Sequence, residues 1–437
     1  MSATLSRSLT LAAACWGDLS EQAAFDRTIE VRCANASSDE KAAVRSILYC
    51  ALRRAVFLER LVAKLVSRRP TPEVAALLAV SLSELNEQPD KPYVVVNEAI
   101  NAARMNNATY RASGLINACL RRYLREKAAL DKTILADRIA RYNAPGWWID
   151  RMRKEFGPQN LDTLFETLHK KPPMTLRVNV RKTSVEKWLT DAQAAGCPAR
   201  ALGGQAVLLE KARPVHRIPG FAEGLVSVQD AGAQLAGLFL APKAGERILD
   251  ACAAPGGKSL LLIEEMQDEG RLVSCDVSEN RVQLIRKAVE RMGFAHVEPR
   301  VSDGTKADAD LPMADAILVD APCSGLGMLA KKPDIRYKTL EKARHDELLA
   351  TQSAILDTAA AHLKEGGRLV YSTCTIDPAE NEEQVRAFVG RHPEFRVVKP
   401  DVRFPAGMTV GDWGALSVPT RTGMDGFFLC AMQKRDS

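Results

Sequence analysis

The stretch RILDACAAPGGKS, Arg247 to Ser259, decides the fold. RILDAC reads as a short buried strand, a Gly-rich turn follows, and Lys258–Met266 has the apolar spacing of a helix. A strand that turns through glycines directly into a helix points the free N–H groups of the helix start at whatever fills the turn. Further along, LVSCDV (Leu272–Val277) precedes a helix at Glu279–Gly293, and VEPRVSD (Val297–Asp303) and AILVDAPC (Ala316–Cys323) supply two more strands. A long helix at Thr339–Lys364 leads into LVYSTC (Leu369–Cys374) and a helix at Ala379–His392. The tail RTGMDGFFLCAMQK reads as a closing hairpin. This alternation predicts an α/β Rossmann-like domain over 231–437, a mostly parallel sheet with helices on both faces and a ligand at the carboxyl ends of its strands.

The chain of 437 residues is too long for one core, so two or three domains are expected. Residues 1–130 read as all-α: ALLAVSLSEL and LINACLRRYLRE carry apolar residues at three and four spacing, and Pro70, Pro72, Pro89 and Pro92 fall between such segments. The pairs Arg53-Arg54, Arg68-Arg69 and Arg121-Arg122 read as exposed basic faces. Residues 131–230 read as a small α+β, RRM-like module with helices at Leu130–Tyr142, Trp147–Glu155 and Ser184–Gly196 and strands at TLRVNV, AVLLEK and GLVSVQD.

The charge is uneven. Residues 1–131 hold 18 Lys+Arg against 14 Asp+Glu, residues 132–230 hold 16 against 10, and residues 231–437 hold 26 against 30. A basic front feeding a mildly acidic catalytic half fits a polyanionic partner, and scattered solvated faces are the competing reading. Ten widely spaced cysteines with no C-x-x-C pair exclude a zinc-finger spacing and a disulfide framework, which points to a reducing cytoplasm. No apolar run approaches the roughly 20 residues of a membrane span. SRSLTLAAAC is read as the first amphipathic helix rather than a secretion signal.

In the opening stretch, Gly256 and Gly257 let the backbone approach a ligand closely. Asp276 ends the second strand twenty positions after Gly256, a spacing that suits a carboxylate holding ribose hydroxyls. Asp303, ending the third, can accept from an adenine amine or a ribose. A P-loop would require glycine where Cys252 stands. The pattern therefore predicts a nucleoside cofactor rather than a triphosphate.

Two further strands end in thiols: VDAPCSGLG (Val319–Gly327) delivers Cys323, and LVYSTC delivers Cys374, both at the ligand edge of one sheet. Most cytosolic cysteines are small core residues, and the other eight are read that way. Two thiols beside a nucleoside site suggest pyrimidine chemistry. A thiolate added to carbon 6 of a pyrimidine makes carbon 5 enolate-like, able to attack an electrophilic methyl group, and later departs as a good leaving group. A second acid–base group must then take the carbon-5 proton. Asp320, beside Cys323, is placed to hydrogen-bond the polar edge of the base.

DACAAPGGKS, DAPCSGLG with the downstream KKPDIRY, and YSTCTIDPAENE together resemble the RsmB/Nop2/Sun family of RNA cytosine-5 methyltransferases. The likeness extends back through PPMTLRVN and VSVQDAGAQLA, and the front is similar to the helical RNA-binding NusB-like domain through RSILYCALRR, PYVVVNEAINAAR and GLINACLRRYLRE. The resemblance implies a class I methyltransferase fold, S-adenosyl-L-methionine as methyl donor and cytosine in RNA as acceptor. It implies Cys374 as nucleophile, Cys323 as the cysteine that assists product release and Asp320 as the acid near base and methyl donor. It implies a cofactor loop of Cys252, Ala253, Ala254, Pro255, Gly256, Gly257 and Lys258, with Asp276, Asp303 and Asp320 as further contacts. A NusB-like front on this core is the arrangement of the family's 16S ribosomal RNA enzymes, which implies 16S rRNA as partner, with cytosine 967 expected as target, and a monomer. Transfer RNA as substrate, or a non-catalytic RNA-binding or antitermination-like factor, are the alternatives.

Overall fold

A computed structural model describes residues 4–20, 24–336 and 341–436. The chain divides into two units, Met1–Lys171 with Leu329–Lys342, and Pro172–Met328 with Ala343–Ser437.

The first unit is helical: α1 (Leu5–Ser20), α2 (Phe25–Arg32), α3 (Ser38–Leu52), α4 (Ala55–Leu65), α5 (Pro72–Glu87), α6 (Pro92–Arg104), α7 (Asn107–Tyr110), α8 (Ser113–Leu135), α9 (Arg138–Tyr142), α10 (Gly146–Phe156) and α11 (Pro158–His169). Pro72 and Pro92 each occupy a first helical turn, where no N–H is needed. Ser37 and Glu40 form a reciprocal cap at the start of α3. Every residue of α5 from Ala76 to Leu85 is buried, and α5 packs against α1, α3, α4, α6 and α8. A helix buried on all sides belongs at the centre of a bundle. The segment expected as one helix over Leu130–Tyr142 is the end of α8 followed by α9, because Asp137 caps a new helix through Ile139 N–H. Arg53 is not a solubilising surface residue. It is buried, and its Nε and Nη2 donate to the Ala330 carbonyl at 3.0 and 2.8 Å, fixing the stretch around Ala330 to this unit.

The second unit opens with four antiparallel strands, β1 (Met174–Val178), β2 (Ala199–Gly203), β3 (Ala206–Leu209) and β4 (Val226–Val228), in spatial order β2-β3-β1-β4. Helix α12 (Val185–Ala194) covers one face through buried Trp188. This is the expected small RRM-like α+β arrangement. Strand β2 gives no sequence signal, since its residues ARALG are largely exposed and lack alternation.

The larger sheet contains β5 (Arg247–Asp250), β6 (Arg271–Asp276), β7 (Val297–Val301), β8 (Ala314–Asp320), β9 (Leu363–Thr373), β10 (Phe395–Val398), β11 (Thr409–Gly411), β12 (Gly414–Ser417) and β13 (Phe427–Lys434). Its order is β11-β12-β13-β9-β8-β5-β6-β7, with β10 paired to β13. Strands β5 to β9 run parallel, and β13 joins β9 antiparallel. The expected Rossmann-like fold is thus present. The connecting helices are α13 (Ala231–Leu240), α14 (Gly257–Glu265), α15 (Glu279–Met292), α16 (Lys342–Ala361) and α17 (Glu382–Arg391). The expected start of α16 at Thr339 lies outside the described residues. The tail differs from expectation: RTG closes a short helix, Pro419–Thr422, and β13 is a single strand whose hairpin partner is the earlier β12. No helix among the described residues is long and apolar enough to cross a membrane.

Candidate active site

Strand order reverses between β5 and β8, and both are followed by loops at their carboxyl ends. That crevice is where open α/β sheets bind ligands. The loop after β5 is pinned at Ala253, whose N–H donates to the Cys275 carbonyl at 2.7 Å, and the Ala254–Pro255 peptide is cis. Gly256 has φ +100°, a conformation that side chains resist, and it stands at the N-cap of α14. A Cβ on Gly257 would meet only Gln229 Nε2, at 3.8 Å, so the first turn of α14 leaves room for a ligand against its backbone.

The carboxylates expected to hold a nucleoside stand along the same edge. Asp276 ends β6, is 3% exposed, and accepts from Ser278 N–H at 3.1 Å. Arg281, which the sequence reading did not single out, reaches Asp276 at 3.3 Å with one nitrogen and the Ala254 carbonyl at 3.0 Å with another. It ties the strand-end carboxylate to the glycine loop. Asp303 lies just beyond β7. Its hydrogen bond from the Thr305 hydroxyl, with Lys306 beside it, lowers its pKa to about 2, so it stays an acceptor. These groups fit a nucleoside: acceptors for ribose hydroxyls at two strand ends, and bare backbone at a helix start.

Between β8 and β9 the polar groups converge. Asp320 is in register with Ser372, whose hydroxyl donates to Asp320 Oδ1 at 2.7 Å. Lys258 Nζ lies 2.7 Å from Asp320 Oδ2 and stacks over the Phe427 ring at 5.0 Å. Burial opposes the Lys258 charge, but its neighbours, Asp320 foremost among them, together raise the pKa. Lys258 therefore stays an ammonium. Cys323 and Cys374 follow these two strands, and their sulfurs lie 3.3 Å apart. The hydrogen bond to Cys374, then burial, push the Cys323 thiol well above its ordinary pKa. The structure thus brings together Cys323, Cys374, Asp320 and Lys258, with the loop Cys252–Lys258 beside them.

The chain belongs to the RsmB/F family of 16S rRNA methyltransferases. The family model described as "16S rRNA methyltransferase RsmB/F" matches residues 237–433, an "RsmF/B-like, ferredoxin-like domain" matches 144–216, and the NusB family matches 7–125. The chain is 37% identical over 369 residues to the ribosomal RNA small subunit methyltransferase B of Vibrio cholerae, covering 82% of this chain and 81% of that one. It is 36% identical over 413 residues to the protein of the same name from Citrobacter koseri, covering 91% and 92%. The crystal structure of PH0851 superposes with a TM-score of 0.79 at 25% identity, covering 98% of this chain and 99% of that one.

Several residues around these groups carry no local sequence signal. Arg177 of β1 is fully buried, pairs with Glu264 at 3.4 Å and reaches the Gly257 carbonyl at 3.5 Å, linking the small sheet to α14. Gly327 N–H donates to the Cys374 carbonyl at 3.1 Å, and a Cβ there would strike the Gly426 carbonyl. His345, Asp377 and Glu380 are buried with ligand-type atoms within 4.8 Å of one another. Both Glu380 oxygens already accept from Ser324, and one also from Gln352.

Proposed function

We propose that this protein transfers a methyl group from S-adenosyl-L-methionine to carbon 5 of a cytosine in 16S rRNA, with cytosine 967 as the expected target, in the cytoplasm. The observation that carries the proposal is the pair of thiols 3.3 Å apart at the ends of adjacent parallel strands, beside the Lys258–Asp320 pair. The cofactor would be held by Cys252, Ala253, Ala254, Pro255, Gly256, Gly257 and Lys258, with Asp276 and Asp303 on the nucleoside and Asp320 near the methyl group. When bound, S-adenosylmethionine supplies an electrophilic methyl.

Cys374 attacks carbon 6 of the cytosine as a thiolate, and the new C–S bond places electron density on carbon 5, which takes the methyl. A base then removes the carbon-5 proton, the C–S bond breaks, and Cys374 leaves as a thiolate. In the adduct the Cys374 hydrogen bond that raises the Cys323 pKa is gone, so Cys323 can act as a thiolate, take that proton and end the step as a thiol. Asp320 and Lys258 present an acceptor and a donor to the polar edge of the base. The base must leave its stack to reach this depth, which costs a few kcal/mol and favours an unpaired or exposed nucleotide.

The test is methyl incorporation from labelled donor into 16S RNA, mapped by bisulfite sequencing. Wild type is expected to modify one cytosine and Cys374→Ala none. Modification of transfer RNA instead would replace the substrate, and full activity of Cys374→Ala would overturn the nucleophile.

A further inference from the structure

The two cysteine loops are also joined away from their sulfurs. Ser324 follows Cys323 and Thr375 follows Cys374, and their hydroxyls hydrogen-bond at 2.9 Å. Both loops lead to one buried carboxylate. Glu380 Oε2 accepts from Ser324 N–H at 2.7 Å, and Glu380 Oε1 accepts from the Ser324 hydroxyl. Gln352 Nε2, on α16, donates both to Glu380 Oε2 and to the Pro322 carbonyl, at 3.0 Å each. Tyr371 of β9 donates its hydroxyl to the Glu380 backbone carbonyl at 2.7 Å. Glu380, Ser324, Thr375, Gln352 and Tyr371 are all nine-tenths buried or more.

A buried carboxylate is costly unless donors surround it, and charge-assisted hydrogen bonds are the strongest and most directional available. Here those bonds converge on the residues flanking Cys323, and one hydroxyl passes the restraint on to the residue after Cys374. From this geometry we propose that Glu380 is a positioning residue that sets the separation of the two thiols, and so controls whether Cys323 can release the RNA adduct from Cys374. Glu380 touches neither sulfur in this network and acts through Ser324 and Thr375. The inference rests on the proposed two-thiol mechanism. It goes further in assigning the alignment of Cys323 to a carboxylate six residues past the nucleophile, in a different element.

Replacing Glu380 by Gln keeps the volume and one acceptor oxygen but loses the second acceptor. Attack by Cys374 should persist while release through Cys323 slows, because small misplacements of a reacting group cost on the order of 10- to 100-fold in rate. The experiment incubates full-length Glu380→Gln with 16S RNA and S-adenosylmethionine and compares turnover, cofactor affinity and denaturation-resistant RNA–protein adduct with wild type and Cys323→Ala. The expected result is turnover reduced at least roughly 10-fold, unchanged cofactor affinity, and an adduct in Glu380→Gln although Cys323 is intact. Ser324→Ala, which breaks the same link at its other end, is expected to do the same and stands in should Glu380→Gln fail to fold. Adduct in Cys323→Ala but in neither of these variants overturns the positioning role and leaves the two-thiol mechanism intact. Absence of adduct from Cys323→Ala overturns the mechanism and this inference together.

Discussion

Asp250 ends β5 at the start of the glycine loop, fully buried, with one carboxyl oxygen accepting from the Ser259 hydroxyl at 2.7 Å. Burial raises its pKa from 3.8 to about 7; the Ser259 bond opposes the rise and the nearby Asp320 charge adds to it. A group that binds its proton more tightly folded than unfolded stabilises the fold fully below its unfolded pKa, and that contribution is lost as pH rises through the folded value. For Asp250 the window runs from 3.8 to about 7. At roughly 1.4 kcal/mol for each tenfold change in proton affinity, it amounts to on the order of 4 kcal/mol. Asp250→Asn keeps the shape and the acceptor for Ser259 but cannot titrate. Urea denaturation of variant and wild type, followed by circular dichroism at several pH values between about 5 and 8, measures the difference directly. Comparing the two proteins cancels other groups that titrate in this range, such as Glu265, which burial also raises to about 7. The stability of Asp250→Asn relative to wild type is expected to grow by roughly 1 kcal/mol per pH unit up to about pH 7 and then level off. A difference that stays constant with pH would refute the buried, protonated carboxyl.

Gly327→Ala drives a methyl group into the Gly426 carbonyl. It should cost about 1–3 kcal/mol, seen as a lower melting temperature with reduced methyl transfer, since Gly327 N–H also anchors the Cys374 carbonyl. Arg281→Ala unties Asp276 from the glycine loop and should weaken S-adenosylmethionine binding about 10-fold, measured by calorimetry, the loss of roughly one charge-assisted hydrogen bond; unchanged affinity would remove Arg281 from the site. Arg53→Ala leaves the Ala330 carbonyl without its two donors. It should speed amide exchange or proteolysis in the 329–336 segment, and equal protection in both proteins would contradict the clamp.

The catalytic half was legible because its chemistry is written at strand ends. LVD-A-P-C and LVYST-C each pass from an apolar run to a thiol, and the strands they end are neighbours in the sheet, β8 and β9. The glycine loop was legible for the same reason: strand, glycines and helix follow one another without interruption. What escaped were pairings between residues far apart in sequence. Arg53 looks like half of a surface basic pair, and only its contact with Ala330, 277 positions later, makes it a buried clamp. Glu380 sits in an acidic run that looks solvated, yet it is fully buried because Ser324, 56 positions earlier, donates to it twice. β2 and β12 are short strands whose pairing depends on their neighbours rather than on their own residues, and so the tail looked like a hairpin complete in itself.

In the proposed mechanism one thiol bonds the base and the other frees it. Cys323→Ala, Cys374→Ala and the double variant, each incubated with 16S RNA and S-adenosylmethionine and run on a denaturing gel, test it most directly. The expected result is an RNA–protein adduct that survives denaturation with Cys323→Ala alone and disappears when Cys374 is also replaced. An adduct that persists without Cys374, or none with Cys323→Ala while wild type methylates the RNA, would contradict the division of labour between the two thiols.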